Sequence, residues 1–363
     1  MRKARWLAPW RNSAQKPVFY HCISRVVDRR HAFGAVEKEK FRALMRVYEQ
    51  FSGCRVVAYC VMCNHFHLLL EVPPFPAAGF SDKDLLRRIG AISSDVVVAE
   101  VAIQLAEARK AGTPELAEAA RKAIHDRYTY RMHDLGEFMK GLLQRFTQWF
   151  NRTHSRSGRL WEDRFKSVIV EDGTAARTIA AYIDLNPVRA GMAKDPANYR
   201  WSSYGEAIGG GTKGHGRSAR AGLVRAWGAH QGCSADADQW PGDLARQYRR
   251  LLLEGPAPRS AGTVTQSAED SVRPLRNGRS KSALARERVR DGEIPFARML
   301  RHRIRYFSDG AVIGTRDFVD ETFLQSRSRF GVKRQTGARR LRGNAAAAAG
   351  FLWSFRDLQK GIG

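Results

Sequence analysis

The stretch "CRVVAYCVMCNHFHLLLEV", residues 54–72, decides the fold. Its halves "CRVVAYCVM" and "HFHLLLEV" are rich in β-branched and aromatic residues and predict two strands joined by a tight turn near Asn64. Residues two apart on a strand share a face, so His65 and His67 present their imidazoles together while Phe66 faces the core. Upstream, "PVFYHCISRV" (17–26) alternates as a strand, and "VEKEKFRALMRVYEQF" carries apolar residues at helical spacing. The order is strand, helix, strand, strand. "VPPFP" at 72–76 stops the sheet, because proline cannot donate to a ladder.

From about 81 to 126 the chain is polar, Ala-rich and helix-prone, and predicts an inserted helical arm within about 76–130. Its segment "EARKAGTPELAEAARKA" reads as two helices joined at Gly112–Pro114. Leu135, Phe138, Leu142, Phe146 and Trp149 follow a helical period over 135–150. "FKSVIVE" (165–171) predicts a strand, and Thr174 is placed to cap a helix "AARTIAAYIDLN" that Pro187 ends. A first domain therefore spans 1–205. The glycine-rich "GGGTKGHG" (209–216) opens a linker and helical connector over 206–282. Residues 283–363 form a basic C-terminal domain. There, helices around "FARMLRHRIRYF" and "TRDFVDETFLQSRSRF" suit a helix-turn-helix or a small helical packing unit about equally.

Charge narrows the partners. The 363 residues hold 62 Lys plus Arg against 36 Asp plus Glu, a net charge of +26, which points first to nucleic acid and second to an acidic membrane surface. No apolar run approaches the roughly 20 residues that span a bilayer, and the basic start "MRKARWLAPWRN" leads into no signal-like segment. Five cysteines, an odd number, do not make a disulfide framework. The expectation is a reduced, cytoplasmic, nucleoid-associated protein.

The histidine spacing alone leaves a metal site and a pair of strand imidazoles both open. Cys60 and Cys63 add zinc-ligand types, but their odd separation on a strand turns them to opposite faces. In "AAYIDLNPVRAGM" (180–192), Tyr182 and Asn186 are four apart and share a helix face. An amide oxygen suits a hard ion such as magnesium or manganese, whereas Tyr182 taken alone reads more readily as a core aromatic with its hydroxyl on the surface.

Together these segments resemble a known family. "MCNHFHLLLEVP" resembles the histidine, bulky apolar, histidine signature of HUH enzymes. "YIDLNPVRAGM" resembles the tyrosine helix of single-tyrosine HUH transposases of the IS200-like superfamily, in particular the REP-associated tyrosine transposases. "FNRTHSRSGRLWEDRFKSVIVE" resembles the segment between the two, and the resemblance runs from about 17 to 205. It implies an α/β (α+β) ferredoxin-like antiparallel sheet with helices on one face, the HUH endonuclease fold. The helical insertion and a mostly helical C-terminal extension are additions to that fold. The resemblance makes His65 and His67 metal ligands for Mg2+ or Mn2+, Asn186 the third ligand and Tyr182 the nucleophile. It further implies action on single-stranded DNA beside palindromic hairpins, through a 5′-phosphotyrosine that stores the bond energy for rejoining. No phosphate loop of the G-x4-G-K-[ST] type is present, and none is needed.

For the DNA track, cations interleaved with aromatics over 145–166 supply Arg145, Arg152, Arg156, Arg159, Trp161, Arg164 and Lys166, and Arg189 stands beside the nucleophile. Phe146 and Trp149 read as core. A noncatalytic hairpin-binding protein and a zinc-stabilised RNA-binding module are the competing functions, and monomer and homodimer are both compatible with the sequence.

Overall fold

Runs rich in β-branched and aromatic residues give β1 (Val18–Arg25), β2 (Arg55–Val61), β3 (His65–Val72) and β4 (Lys166–Val170), of which β1 lies antiparallel between β3 and β4 and β2 flanks β3. The computed structural model describes residues 6–211, 214–228, 242–254, 307–308, 310–330, 332–335, 337, 339–340 and 352–355. Three short strands extend the sheet: β5 (Val312–Gly314) parallel to β4, then β7 (Trp353–Phe355) and β6 (Arg339–Arg340), in the order β2-β3-β1-β4-β5-β7-β6.

The α/β class and the antiparallel heart of the sheet are as the sequence implied, but helices cover both faces rather than one. The physical reason lies in β2 and β3, whose side chains are buried in both directions and so demand a cover on each side. On one face α1 (Ala35–Ser52) and α5 (Leu135–Thr153) bring Phe41, Met45, Leu142 and Phe146 onto the layer of Tyr20, Cys22, Phe66 and Leu68. On the other, α6 (Thr174–Asp184) and two helices beyond residue 205 bring Ile179, Ile183, Leu223 and Leu252 onto Phe19, Val57, Leu69 and Val168.

The insertion forms three helices, α2 (Asp82–Ile92), α3 (Asp95–Ala108) and α4 (Pro114–Thr129). Its Leu85, Ile89, Val101 and Leu105 join the α1 side of the core, opposite the face that α6 covers. Asp82 ties the arm together by accepting from Arg121 Nε at 2.8 Å and His125 Nε2 at 2.7 Å.

Pro187 stands after the end of α6, as expected, and a single turn, α7 (Asn186–Arg189), follows directly. The cap at its start differs from expectation: Gly173 is the N-cap residue, at φ 70°, and Thr174 is the first helical residue, with its hydroxyl taking a bond from Arg177.

Next come α8 (Ser203–Gly209), α9 (His215–Gly228) and α10 (Gly242–Glu254). A Cβ on Gly222 would lie 2.3 Å from the Val56 carbonyl and 2.8 Å from that of Val57, so only glycine lets α9 approach β2 this closely. The free edge of β2 is met by 201–203: Tyr59 N donates to Ser203 Oγ at 2.7 Å and Val61 N to the Trp201 carbonyl at 2.9 Å. Buried Glu206 of α8 accepts from Arg46 and from Tyr59, each at 2.8 Å, which locks α8 to α1 and β2.

The C-terminal residues described here join this same core. Phe318, Phe323, Phe330 and Phe355 belong to the cluster that contains Tyr20, and Arg334 stacks on the last three of those rings. Where a helix-turn-helix would need a plain turn after residue 308, the chain makes β5 before the helix α11 (Arg316–Gln325). A strand of three residues such as β5 is too short to announce itself by alternation. The helix expected at "FARMLRHRIRYF" lies outside the described residues except for Phe307. Among the described residues no helix is long and apolar enough to cross a membrane.

Candidate active site

The register of the sheet sets the site. His67 stands opposite Ile23 of β1, Ile23 stands opposite Lys166 of β4, and Arg25 stands opposite His65. Directly opposed residues point to the same face, so His21, His67 and Lys166 share the face that α6 crosses. Tyr182 reaches that face from α6, its ring centroid 5.7 Å from that of His67 and 5.9 Å from that of His21. His65 and His67 have centroids 5.1 Å apart. The structure thus brings together the histidine pair and the tyrosine, 115 residues apart from His67 to Tyr182.

Hydrogen bonds orient these rings. Asn64 Nδ2 donates to the Arg29 carbonyl at 2.8 Å, which turns its Oδ1 toward His65 Nδ1 at 2.7 Å. His65 must then donate from Nδ1, leaving Nε2 with a free lone pair. His67 Nδ1 lies 3.0 Å from His21 Nε2. All three imidazoles are held neutral. Burial pushes His65 and His21 down to about 4, with the cations Arg25 and Arg189 adding to the effect at His65 and the Phe307 carbonyl opposing it at His21. Burial also drives His67 well below the ordinary histidine value, with its two histidine neighbours contributing.

Asn186 follows one turn after Tyr182. Its Nδ2 donates to the carbonyls of Tyr182 at 3.1 Å and Ile183 at 3.3 Å, so its Oδ1 is the outward atom, and Arg189 Nη1 donates to it at 3.1 Å. Arg189 also stacks over the Tyr182 ring at 4.6 Å, and its buried Nε has no partner among the described residues. The Tyr182 ring is buried, and a second aromatic, Phe307, meets it edge-on with centroids 5.1 Å apart.

Two neutral imidazoles, one with its Nε2 already set as an acceptor, are donor types that could hold a divalent ion, while the amide oxygen of Asn186, in the turn after Tyr182, accepts from Arg189. Among the described residues no group of three His, Cys, Asp or Glu side chains is arranged to hold a metal ion by itself. Cys60 does not serve as a ligand. It is fully buried on the α6 side with its Sγ 3.5 Å from Met62 Sδ, and burial holds its thiol well above the usual range. Cys63 instead lies 3.8 Å from Lys38 Nζ, so the four-ligand zinc arrangement is not formed.

The DNA-track residues separate into two groups. Arg152, Arg159, Arg164 and Lys166 are exposed, and the loop that carries Arg159 and Arg164 is pinned to the His65 end of β1 by Glu162 N donating to the Arg25 carbonyl at 2.8 Å. Arg156 leans on Phe150 and donates to the Arg159 carbonyl at 3.2 Å. Two of the track residues also brace the fold. Arg145 donates to the Ile92 carbonyl at 2.7 Å and so ties α5 to the inserted arm. Trp161, half-buried, packs edge-on to Phe33 and Phe66 and donates to Thr147 Oγ1 at 3.0 Å.

His21 and Phe307 are the site residues that sequence reasoning missed. His21 could have been found from β1, where Phe19, His21 and Ile23 share one face; Phe307 has no local signal.

Comparison with known proteins reaches part of the chain. Residues 14–102 match the family model described as transposase, IS200-like, a span that includes β1 to β3 with His21, His65 and His67 and stops before Tyr182. A solved structure of a REP-associated tyrosine transposase bound to a REP hairpin aligns with 11% identity and a TM-score of 0.34, covering 59% of this chain and 88% of that one. No curated protein sequence matches the chain. Residues 14–102, which hold β1 to β3, thus match an IS200-like transposase domain.

Proposed function

We propose that the protein is a metal-dependent, single-strand DNA transposase that cleaves and rejoins DNA beside palindromic hairpins through a 5′-phosphotyrosine. The observation that carries this reading is the approach of Tyr182 to His67 under the Arg189 guanidinium. A divalent ion held by His65, His67 and Asn186 would supply Lewis-acid polarisation of the scissile phosphate. Arg189, with its unpartnered Nε, can take a phosphate oxygen while its guanidinium plane stays over the phenol ring.

The step balances as a transesterification. Tyr182 Oη bonds to phosphorus, the bond from phosphorus to the 3′-oxygen breaks, the phenol proton passes to solvent and the leaving 3′-oxygen takes a proton. Attack by a 3′-hydroxyl on the phosphotyrosine reverses it, so rejoining needs no nucleotide cofactor. Lys166 lies two strands from His67 on the same face, roughly 10 Å away at ordinary strand spacing, and extends the cationic track toward the pair.

Incubation with hairpin-flanked single-stranded DNA and Mn2+, followed by a denaturing gel, tests this. The expected result is a covalent protein–DNA band that needs metal and is lost in Tyr182→Phe and in His65→Ala. Tight DNA binding without a band under either metal would overturn it in favour of a noncatalytic hairpin binder.

A further inference from the structure

We infer that His21 is a positioning residue that fixes the metal-binding nitrogen of His67 through a relay anchored on the C-terminal segment. The inference rests on the reading of His67 as a ligand.

The relay is determined by donor and acceptor types. The Phe307 carbonyl can only accept, and it lies 2.6 Å from His21 Nδ1, so His21 carries its proton there. A neutral His21 then has an unprotonated Nε2, which accepts across 3.0 Å from His67 Nδ1. His67 therefore carries its own proton on Nδ1, and its Nε2 lone pair faces outward. Asn64 Oδ1 does the same for His65, at 2.7 Å. Two ligands thus have their tautomers set by different partners, and an outer partner of this kind orients the ring as well as its lone pair.

The rings of His21 and His67 are nearly parallel, 19° apart at a centroid distance of 5.2 Å, and both are almost fully buried. The terminal acceptor comes 286 residues after His21, from the same Phe307 whose ring meets Tyr182. The C-terminal segment thereby contributes to the order of both the ligand and the nucleophile, which gives a covering residue of the extension a defined task at the catalytic face.

Two substitutions divide the relay. His21→Gln places an amide near the Nε2 position and retains an acceptor for His67, whereas His21→Asn retains the donor to Phe307 but falls short of His67. Manganese affinity is read by the electron paramagnetic signal of free Mn2+, and the tautomer of His67 by 15N NMR of the metal-free, histidine-labelled protein. Thermal unfolding shows that each variant is folded. The expected result is His67 protonated on Nδ1 in the wild type, Mn2+ binding weakened about 10- to 100-fold in His21→Asn, and binding within about threefold of wild type in His21→Gln. A folded His21→Asn that binds Mn2+ like the wild type, or a wild-type His67 protonated on Nε2, overturns the relay. Failure of the underlying ligand assignment has a separate sign, Mn2+ binding indifferent to His65→Ala, and the tautomer measurement decides on the relay in that case too.

Discussion

Asp184 closes the helix that carries Tyr182, and its fully buried carboxyl accepts from Tyr204 N at 2.9 Å and from Tyr248 Oη at 2.6 Å. Burial outweighs these bonds and raises its pKa from 3.8 to about 7. An acid raised in the folded state gives stability that is complete below its unfolded pKa and is lost as pH rises through the folded value. Three units at about 1.36 kcal/mol each amount to about 4 kcal/mol, lost mainly between pH 4 and pH 8. Asp184→Asn keeps the shape, accepts from Tyr204 N and donates to Tyr248, but does not ionise. Urea unfolding of both proteins at the two pH values isolates the group, because the neutral histidines, whose contribution rises with pH, are common to both. The wild type should lose about 4 kcal/mol relative to Asp184→Asn on going from pH 4 to pH 8. Parallel stability curves would refute the reasoning and show the carboxylate fully solvated or compensated.

Three further outcomes are expected. Arg225 of α9 holds the fully buried carboxylate of Glu71 through two hydrogen bonds, with Arg55 more distant at 3.7 Å. Arg225→Met should lower stability by about 3–5 kcal/mol in urea unfolding, with partial recovery on adding Glu71→Gln; a loss under about 1 kcal/mol would contradict it. Gly222→Ala should cost about 1–3 kcal/mol by the same measurement, because its Cβ meets backbone carbonyls that cannot swing away, and an unchanged midpoint would show that α9 can lift off β2. Lys166→Ala and Arg152→Ala should each weaken single-stranded DNA binding evenly across sequences and reduce the salt slope by about 0.7 in anisotropy titrations, whereas Arg145→Ala should leave the slope unchanged.

The sheet and the histidine pair were legible because strand alternation is local: "VFYHCISR" and "HFHLLLEV" each state which residues share a face. What alternation does not state is which strand lies beside which. His21 was therefore visible as a buried strand position but not as the partner of His67, a relation that depends on the β1–β3 register. Helical spacing placed Asn186 beside Tyr182, as the bond from its amide to the Tyr182 carbonyl shows. The second helical layer was legible only as helices, since nothing in "RSARAGLVRAWG" names the sheet face it covers. Tripeptide strands such as "VIG" and "WSF" carry too few residues to show a period, and Phe307 comes to the site from far along the chain. The bracing contacts of Trp161 and Arg145 were illegible for a related reason: an alternation of cations and aromatics does not state which side chains also pack against the core.

The central claim is that Tyr182 is the residue that joins DNA. Trapping the Mn2+-dependent adduct, digesting protein and DNA, and sequencing the modified peptide by mass spectrometry tests it most directly. The account expects a nucleotide 5′-phosphate on the Tyr182 side chain within "AAYIDLNPVRAGM". A phosphate mapped to any other residue, or an adduct that persists in Tyr182→Phe, would contradict it.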